Sequence, residues 1–366
     1  MRFHLLSRVS QYIPYSLGVL TLGIAIADTR PTHAFSFLFN SFSTPRVTHQ
    51  IGYNGTGGHY TIDVGIDADS IFAQEAIVAT QNVIDTWNNL TPTTGNLDST
   101  ELDRNQMDFE SVLLHELGHS LGLGHPNLAS ESGVSRNNRD YTKSGIGANG
   151  SFDLNRGADG IIGSADDLRG DDDNKNYFRI ADNDPFATDL GIVDSTTYTR
   201  DLSLLPVGDN YSANADRDVG AALGYANTES VMQQGTFFGE TQRELGADDV
   251  AGILYSMSGF DEIAGTDDDY TFALNFVGLT DAADILLGFD NNETSFAESQ
   301  SFATNLGSNS ETGNQHMAIT RSRIFFNSNY DWFFPEEEPQ NIPEPSTLIA
   351  LFAVGCGGFL LRRKQS

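Results

Sequence analysis

Residues 115–125 read HELGHSLGLGH, and this stretch decides what kind of fold the chain can form. His115 and His119 are four positions apart, so on a helix both imidazoles project from one face and can bind the same zinc ion. Glu116 follows the first histidine and is placed to act as a general base toward water rather than as a ligand. The stretch therefore predicts a helix that carries a catalytic zinc site.

The turn after this helix is predicted to bring a third histidine to the same ion. Gly122 supplies the positive φ that ends the helix and turns the chain back. His125 then reaches the metal as the third ligand. The alternative is a helix with ordinary surface histidines, but that alternative leaves Glu116 and Gly122 at these positions as coincidences.

The motif resembles the zinc-binding signature of the metzincin metalloproteases. Residues 229–232, Glu-Ser-Val-Met, are similar to the methionine turn beneath the zinc of those enzymes, and residues 244–255 are similar to the last helix of their matrixin-like branch. The resemblance implies an α+β catalytic domain and a zinc-dependent endopeptidase that acts on protein or peptide substrates. It also implies that Met232 forms the hydrophobic floor of the metal site, although an ordinary core methionine is the alternative.

The segment before the zinc helix departs from the family. Helices are predicted from Ile71 to Trp87, with Asp69-Ser70 as a candidate N-cap, and from Phe109 to Leu121, capped by Asp108. A metzincin places several strands between these two helices, whereas the short gap here admits one short hairpin. The strand that pairs with extended substrate is therefore expected to be reduced, or to come from residues before the first helix.

A long acidic insertion, residues 126–228, separates the third histidine from the methionine turn. Oxygen side chains at alternate positions, with glycines that permit tight turns, are typical of calcium-binding loops, although the pattern is not an EF-hand. The predicted calcium ligands are Asp153, Asn155, Asp159, Asp166, Asp167, Asp171 and Asp173. A solvated acidic loop without ions is the alternative.

The remainder of the chain suggests further divisions. Residues 35–260 are predicted to form the protease domain, including the insertion. Short apolar stretches within residues 261–334, spaced by Gly, Asn and Asp turns, predict a separate small β-rich domain. Residues 335–341 are predicted to be a charged linker.

Charge limits the partners of this protein. The 366 residues include 50 acidic and 20 basic side chains, for a net charge of −30. This excess argues against nucleic acid and against an anionic membrane surface as partners. It suits a soluble protein outside the cell, or one that binds several calcium ions. Cys356 is the single cysteine, so no disulfide forms within the chain.

Both ends are predicted to be targeting segments. Residues 1–34 are typical of a signal peptide, which signal peptidase would remove. A buried N-terminal strand is the alternative. Residues 342–366 contain Pro343-Glu344-Pro345, then an apolar run and a basic end. This order resembles the PEP-CTERM sorting signal, which implies transient membrane anchoring through a C-terminal transmembrane segment and processing by an exosortase-like enzyme. It implies the cell surface or extracellular matrix of a Gram-negative bacterium, while a plain C-terminal anchor is the alternative.

Two other functions remain open on the sequence. The first is an acidic, calcium-binding matrix or adhesion protein whose zinc site is structural; against it, structural zinc sites are normally closed by a fourth protein ligand. The second is a zinc hydrolase of a non-peptide bond, because the motif defines the metal and the water but not the bond that is cleaved.

Overall fold

A computed structural model gives the architecture of the chain. It describes residues 34–39, 44–126, 177–180, 186, 190–201, 204, 217, 221, 224–233, 236–291 and 295–335, and the backbone alone of 154–155 and 168–169. The predicted sorting signal and nearly all of the predicted signal peptide lie outside these residues. Among the described residues, no helix has the length and apolar character needed to cross a bilayer.

The described residues form a mixed α/β structure with few helices. The three helices are α1 (Ala76–Asn89), α2 (Phe109–Ser120) and α3 (Ala247–Met257). The strands are β1 (Ala34–Phe37), β2 (Arg46–His49), β3 (Gly58–Asp67), β4 (Met107–Asp108), β5 (Leu123–Gly124), β6 (Leu154–Asn155), β7 (Leu168–Arg169), β8 (Tyr177–Arg179), β9 (Tyr198–Thr199), β10 (Tyr270–Thr280), β11 (Ile285–Asp290), β12 (Ala297–Ser308), β13 (Gln315–Asn327) and β14 (Trp332–Phe333).

The largest sheet has six strands, and helices α1 and α2 pack against it. Its order is β10-β3-β11-β13-β12, and β2 also pairs with β13. All of these pairings are parallel except β12 with β13, which is antiparallel. Helix α1 packs against β10 and α2, and α2 packs against β12 and β13. The zinc helix therefore lies next to the one antiparallel edge strand of this sheet.

This sheet corrects the expectation of a separate β-rich domain at residues 261–334. Strands from that segment flank β3 on both sides: Tyr270 lies opposite Gly58, and Ile285 lies opposite Val64. The physical reason is that β3 has two edges to pair, and the strands nearest to it in sequence, β2 and β4, pair with β13 and β14 instead. The strands that the sequence lacks between the first two helices are thus supplied by residues after α3.

The gap between α1 and α2 contains no hairpin, so that expectation was also wrong. The segment forms only β4, which pairs in parallel with β14, and two isolated bridges. The antiparallel edge strand next to the zinc helix is β12, which comes from neither of the two sources expected from the sequence.

Helix boundaries follow local capping and tertiary contacts. Asp108 caps α2 as predicted, since its Oδ2 accepts a hydrogen bond from the backbone N–H of Ser111 at 3.0 Å. Helix α1 instead begins at Ala76, five residues after the predicted start at Ile71. The hydroxyl of Ser70 accepts a hydrogen bond from the backbone N–H of Phe289 at 3.0 Å, so it serves the sheet rather than the helix.

A second, small sheet lies beside the metal motif. It has four strands in the order β5-β1-β8-β9, and both pairings of β1 are antiparallel. Strand β5 is part of the motif itself, between Gly122 and His125. This sheet therefore connects the N-terminal strand β1, the metal motif and the long insertion.

Candidate metal centre

The three motif histidines converge on one point. The Nε2 atom of His125 lies 3.2 Å from Nε2 of His115 and 3.1 Å from Nε2 of His119. Two nitrogens that bind one zinc ion at the usual Zn–N distance, with a tetrahedral N–Zn–N angle, lie about 3.3 Å apart. The spacing of the three nitrogens therefore fits a single zinc ion.

Hydrogen bonds behind the two helical histidines fix which ring nitrogen carries the proton. Nδ1 of His115 lies 2.6 Å from the carbonyl oxygen of Val231, and Nδ1 of His119 lies 2.8 Å from that of Leu123. A carbonyl oxygen only accepts, so each Nδ1 donates a proton and each Nε2 presents a lone pair. Nε2 lone pairs that face one another repel. A cation between the nitrogens would accept these lone pairs and remove the repulsion.

Burial keeps these rings neutral. Burial, and then the neighbouring His119, lowers the pKa of His115 to about 3, although its hydrogen bond to Val231 opposes the shift. Burial also lowers the pKa of His119. Both imidazoles are therefore neutral at pH 7, which is the form in which histidine binds a metal.

Gly122 makes the turn that carries His125 back to the cluster. Its φ is +102°, which confirms the predicted left-handed turn. A Cβ at this position would lie 2.9 Å from the carbonyl oxygen of Thr48, so the turn is also closely packed. Both observations explain why the motif needs glycine here.

Glu116 is buried next to the histidines and next to β12. Burial first, and then the nearby Glu298, raises the pKa of Glu116 to about 8, while a hydrogen bond from the backbone N–H of Ser299 opposes the shift. Its Oε2 accepts no hydrogen bond from the described residues. A divalent cation at the histidines would favour the ionised form and lower that pKa.

Met232 lies directly beneath α2. It is buried, and a Cβ added at Gly118 would overlap its Sδ. Gly118, in the middle of the motif, is therefore required for this close packing. Its role was not predicted from the sequence, although a glycine inside a helix costs about 1 kcal/mol relative to alanine and usually has a packing reason.

Asp249 holds the turn that contains Met232. Its buried carboxylate accepts hydrogen bonds from the hydroxyl of Ser230 (2.5 Å) and from the backbone N–H groups of Val231 (2.9 Å), Met232 (3.0 Å) and Gly246 (2.8 Å). This role of Asp249 was not predicted from the sequence either. The signal was a carboxylate in the first turn of α3, where free backbone N–H groups are available.

Arg243 braces the start of the zinc helix. Its guanidinium donates to both carboxylate oxygens of Asp108, the N-cap of α2, at 2.9 and 2.7 Å. Paired hydrogen bonds of this kind fix orientation as well as distance. The loop before α3 is therefore tied to the helix that carries the first two histidines.

Residues 46–133 match the model of the matrixin family, Peptidase_M10. No match was found among curated proteins or among solved structures. The matrixin match covers less than half of the chain, and it includes α1, α2 and all three histidines. Together with the histidine cluster it supports a zinc metalloprotease of metzincin type.

The matrixin match ends inside the acidic insertion, where the calcium predictions fall. Asp153, Asp159, Asp166, Asp167, Asp171 and Asp173 lie outside the described residues, and of Asn155 the backbone alone is described. Strands β6 and β7 form an antiparallel pair in this region. Calcium binding therefore stays a prediction from the sequence.

Proposed function

We propose that this protein is an exported zinc-dependent endopeptidase that hydrolyses peptide bonds with a zinc-activated water. The observation that carries the proposal is the convergence of three histidine Nε2 atoms beside a buried glutamate. His115, His119 and His125 would hold the ion. Within the described residues no fourth His, Cys, Asp or Glu joins this cluster, which favours a site with a position open to water over a closed structural one.

Glu116 would carry the protons of the reaction. When bound, zinc lowers the pKa of water toward about 7 and polarises a carbonyl oxygen. The carboxylate of Glu116 takes the proton of the attacking water and later returns it to the leaving amine. Its burial and its unpartnered Oε2 leave this oxygen available for that water.

Strand β12 would bind the substrate. Within the described residues it pairs with β13 alone, so no strand occupies its other edge. The hydroxyl of Ser120, on the zinc helix, lies 2.7 Å from that of Ser322 and 3.1 Å from that of Ser299, which fixes β12 beside the motif. An extended peptide that adds to this edge as a further strand would pass next to Glu116.

Export and calcium binding belong to the same proposal on sequence grounds. Residues 1–34 would direct export, and Pro343-Glu344-Pro345 would direct sorting by an exosortase-like enzyme after transient membrane anchoring. The acidic insertion would bind Ca²⁺. A melting temperature that does not change on calcium chelation would argue against the calcium hypothesis.

The test compares wild type with Glu116→Gln, and Glu311→Gln serves as a control for the loss of an exposed carboxylate. Zinc content and hydrolysis of a broad peptide library are measured on the same samples. We expect stoichiometric zinc in all three proteins and a rate below about one hundredth of wild type for Glu116→Gln alone.

Other outcomes point to other functions. Zinc in wild type without peptide hydrolysis would favour the structural site of an acidic matrix protein, or a zinc hydrolase of a non-peptide bond. If the Glu116→Gln protein keeps full activity, Glu116 is not the general base.

A further inference from the structure

The N-terminal strand β1 lies at the centre of the small sheet beside the metal motif. On one side Ser36 lies opposite Gly124 and Phe37 lies opposite Leu123. The backbone N–H of Leu38 extends this pairing, since it donates to the carbonyl oxygen of Gly122 at 2.8 Å. Strand β1 therefore follows the motif from its turning glycine to the residue before His125.

This pairing reaches two of the three histidines. His125 follows Gly124 directly in the chain, so the register of β5 on β1 sets where His125 emerges. The carbonyl oxygen of Leu123, also in β5, accepts the hydrogen bond from Nδ1 of His119 at 2.8 Å. Displacement of β5 would therefore move one histidine and release the other from its orienting partner.

The two strands approach each other unusually closely. A Cβ at Gly124 would lie 2.8 Å from the carbonyl oxygen of Phe37, a distance that real side chains do not reach. The hydroxyl of Thr48 donates to the carbonyl oxygen of Leu38 at 2.6 Å and so ties the end of β1 to β2. Strand β1 is thereby fixed to the large sheet as well as to the motif.

The aromatic side chains of β1 anchor it in the core. Phe35 and Phe37 are both buried. Phe35 stacks on Tyr177 of β8 with ring centroids 5.4 Å apart, and it also contacts Tyr255 of α3. The same strand thus connects the motif to the returning end of the insertion, because β8 pairs with its other edge.

From these contacts we propose that residues 35–39 are positioning residues for the metal centre: β1 holds β5 in the register that directs His125 toward the metal and keeps His119 oriented. The inference rests on the proposed zinc site. It also implies that proteolytic removal of residues 35–39 unloads zinc from the protein.

Two substitutions in the full chain test the inference, and each has a matched control. Gly124→Ala pushes β5 away from Phe37, while Gly288→Ala adds a methyl in β11 where the nearest atom is 3.4 Å away. Thr48→Val removes the hydroxyl that holds Leu38, while Thr320→Val removes a similar hydrogen bond to the carbonyl oxygen of Phe302. Thr48→Val keeps the test valid should Gly124→Ala fail to fold.

Three quantities are measured. Competition with a chelator gives the zinc affinity, and the visible absorption of the Co²⁺-substituted protein reports the geometry of the metal site. Urea unfolding of the metal-free protein gives its stability. For Gly124→Ala we expect zinc affinity about 10- to 100-fold below wild type and an altered cobalt spectrum. We expect a smaller loss in the same direction for Thr48→Val. Both controls should bind zinc as wild type does.

The outcomes separate this inference from the proposed function. If wild type binds zinc and both Gly124→Ala and Thr48→Val bind it within twofold of wild type, the positioning role of β1 is wrong and the zinc site stands. If metal-free stability falls but zinc affinity and the cobalt spectrum do not change, β1 is structural only and the inference fails. If wild type binds no zinc, the proposed function fails and the inference fails with it.

Discussion

Asp249 and His115 are connected through the backbone of a single residue, Val231. The N–H of Val231 donates to Oδ2 of Asp249 at 2.9 Å, and its carbonyl oxygen accepts from Nδ1 of His115 at 2.6 Å. A carboxylate on α3 therefore sets the position of the peptide that orients a predicted zinc ligand on α2. Such outer partners tune metal affinity although they never touch the metal.

Asp249→Asn should weaken zinc binding. The amide places an NH₂ group against backbone N–H donors, so at least one hydrogen bond to the turn is lost. We expect zinc affinity about tenfold below wild type and an unfolding free energy lower by about 1–3 kcal/mol. Chelator competition and urea unfolding measure the two quantities. Asp281→Asn, at an exposed position, is the control, and equal zinc affinity in the two variants would contradict this role.

Gly118→Ala should destabilise the protein even though alanine is the better helix former. The new Cβ would overlap Sδ of the buried Met232, and overpacking of this kind costs about 1–3 kcal/mol. In the double variant with Met232→Ala the clash is relieved, so the summed losses of the single variants should exceed the loss of the double variant. Urea unfolding of all four proteins, with Gly288→Ala as control, measures the cycle. Strict additivity would show that the two residues do not interact.

A buried polar cluster joins β2, β13 and the turn after α3. Nδ1 of His49 donates to the carbonyl oxygen of Ser256 at 3.1 Å, so its Nε2 accepts from Nδ1 of His316 at 2.8 Å. Nε2 of His316 lies 3.2 Å from Oε1 of Glu262, which also accepts from the side-chain amide of Asn309. Oε2 of Glu262 accepts from the hydroxyl of Tyr255 and from the side-chain amide of Asn314. His316 therefore lies between His49 and the carboxylate of Glu262, and all three side chains are fully buried.

The cluster should make the fold sensitive to acid. Burial, and then His316, lowers the pKa of His49 well below 6.5, so below about pH 6.5 the unfolded chain binds a proton that the folded chain does not. Burial raises the pKa of Glu262, but hydrogen bonds from His316, Thr312 and Tyr255 outweigh it and leave the pKa lowered. The stability from Glu262 is therefore present above about pH 4.5 and is lost as the pH falls further.

Substitution of His49 tests the predicted direction in which the unfolding free energy changes with pH. Between pH 7 and pH 5 the unfolding free energy of wild type should fall, with up to roughly 1.4 kcal/mol per pH unit due to His49. His49→Gln should lower stability at pH 7 but flatten this dependence. His59→Gln, at an exposed histidine, should leave the dependence unchanged. An equal slope in wild type and His49→Gln would show that His49 does not contribute.

Truncation tests the corrected domain boundary. A chain that ends at residue 260 lacks β10 to β13 and leaves β3 without its partners on either side, so we expect neither cooperative urea unfolding nor zinc binding. A chain that ends at residue 335 retains all the described strands and should show both. Cooperative unfolding of the shorter chain would restore the expectation of two separate domains.

The elements predicted well from the sequence are those whose signals are local. The cap at Asp108 identifies the start of α2 from one stretch of residues, and the structure confirms it; Leu113, Leu114 and Leu117 form the buried face of this helix. Gly122 has the expected positive φ. Residues 115–125 thus predict the convergence of the histidines, because a helix and one turn determine most of it.

The elements predicted poorly depend on partners far away in sequence. Tyr270–Thr280 has an apolar alternation that identifies a strand but not its partner, and here the partner is β3. Strand β12 was missed because it is an exposed edge with mostly polar side chains, which produce no apolar period. From the sequence alone, Asp249 cannot be distinguished from any other acidic residue near a helix start. Its role depends on contacts with Ser230, Val231 and Met232, which are 17 to 19 residues away in sequence.

The location of β10 to β13 after α3 sets the order in which the protein becomes complete. During synthesis the histidine motif emerges well before β12, and β3 remains without neighbours until Tyr270 and Ile285 follow. Pairings between such distant residues form late, because loop closure must precede them. A partial chain therefore has the histidines without the proposed substrate edge, so the proposed proteolytic activity, including cleavage of other copies of the chain, requires the last strands.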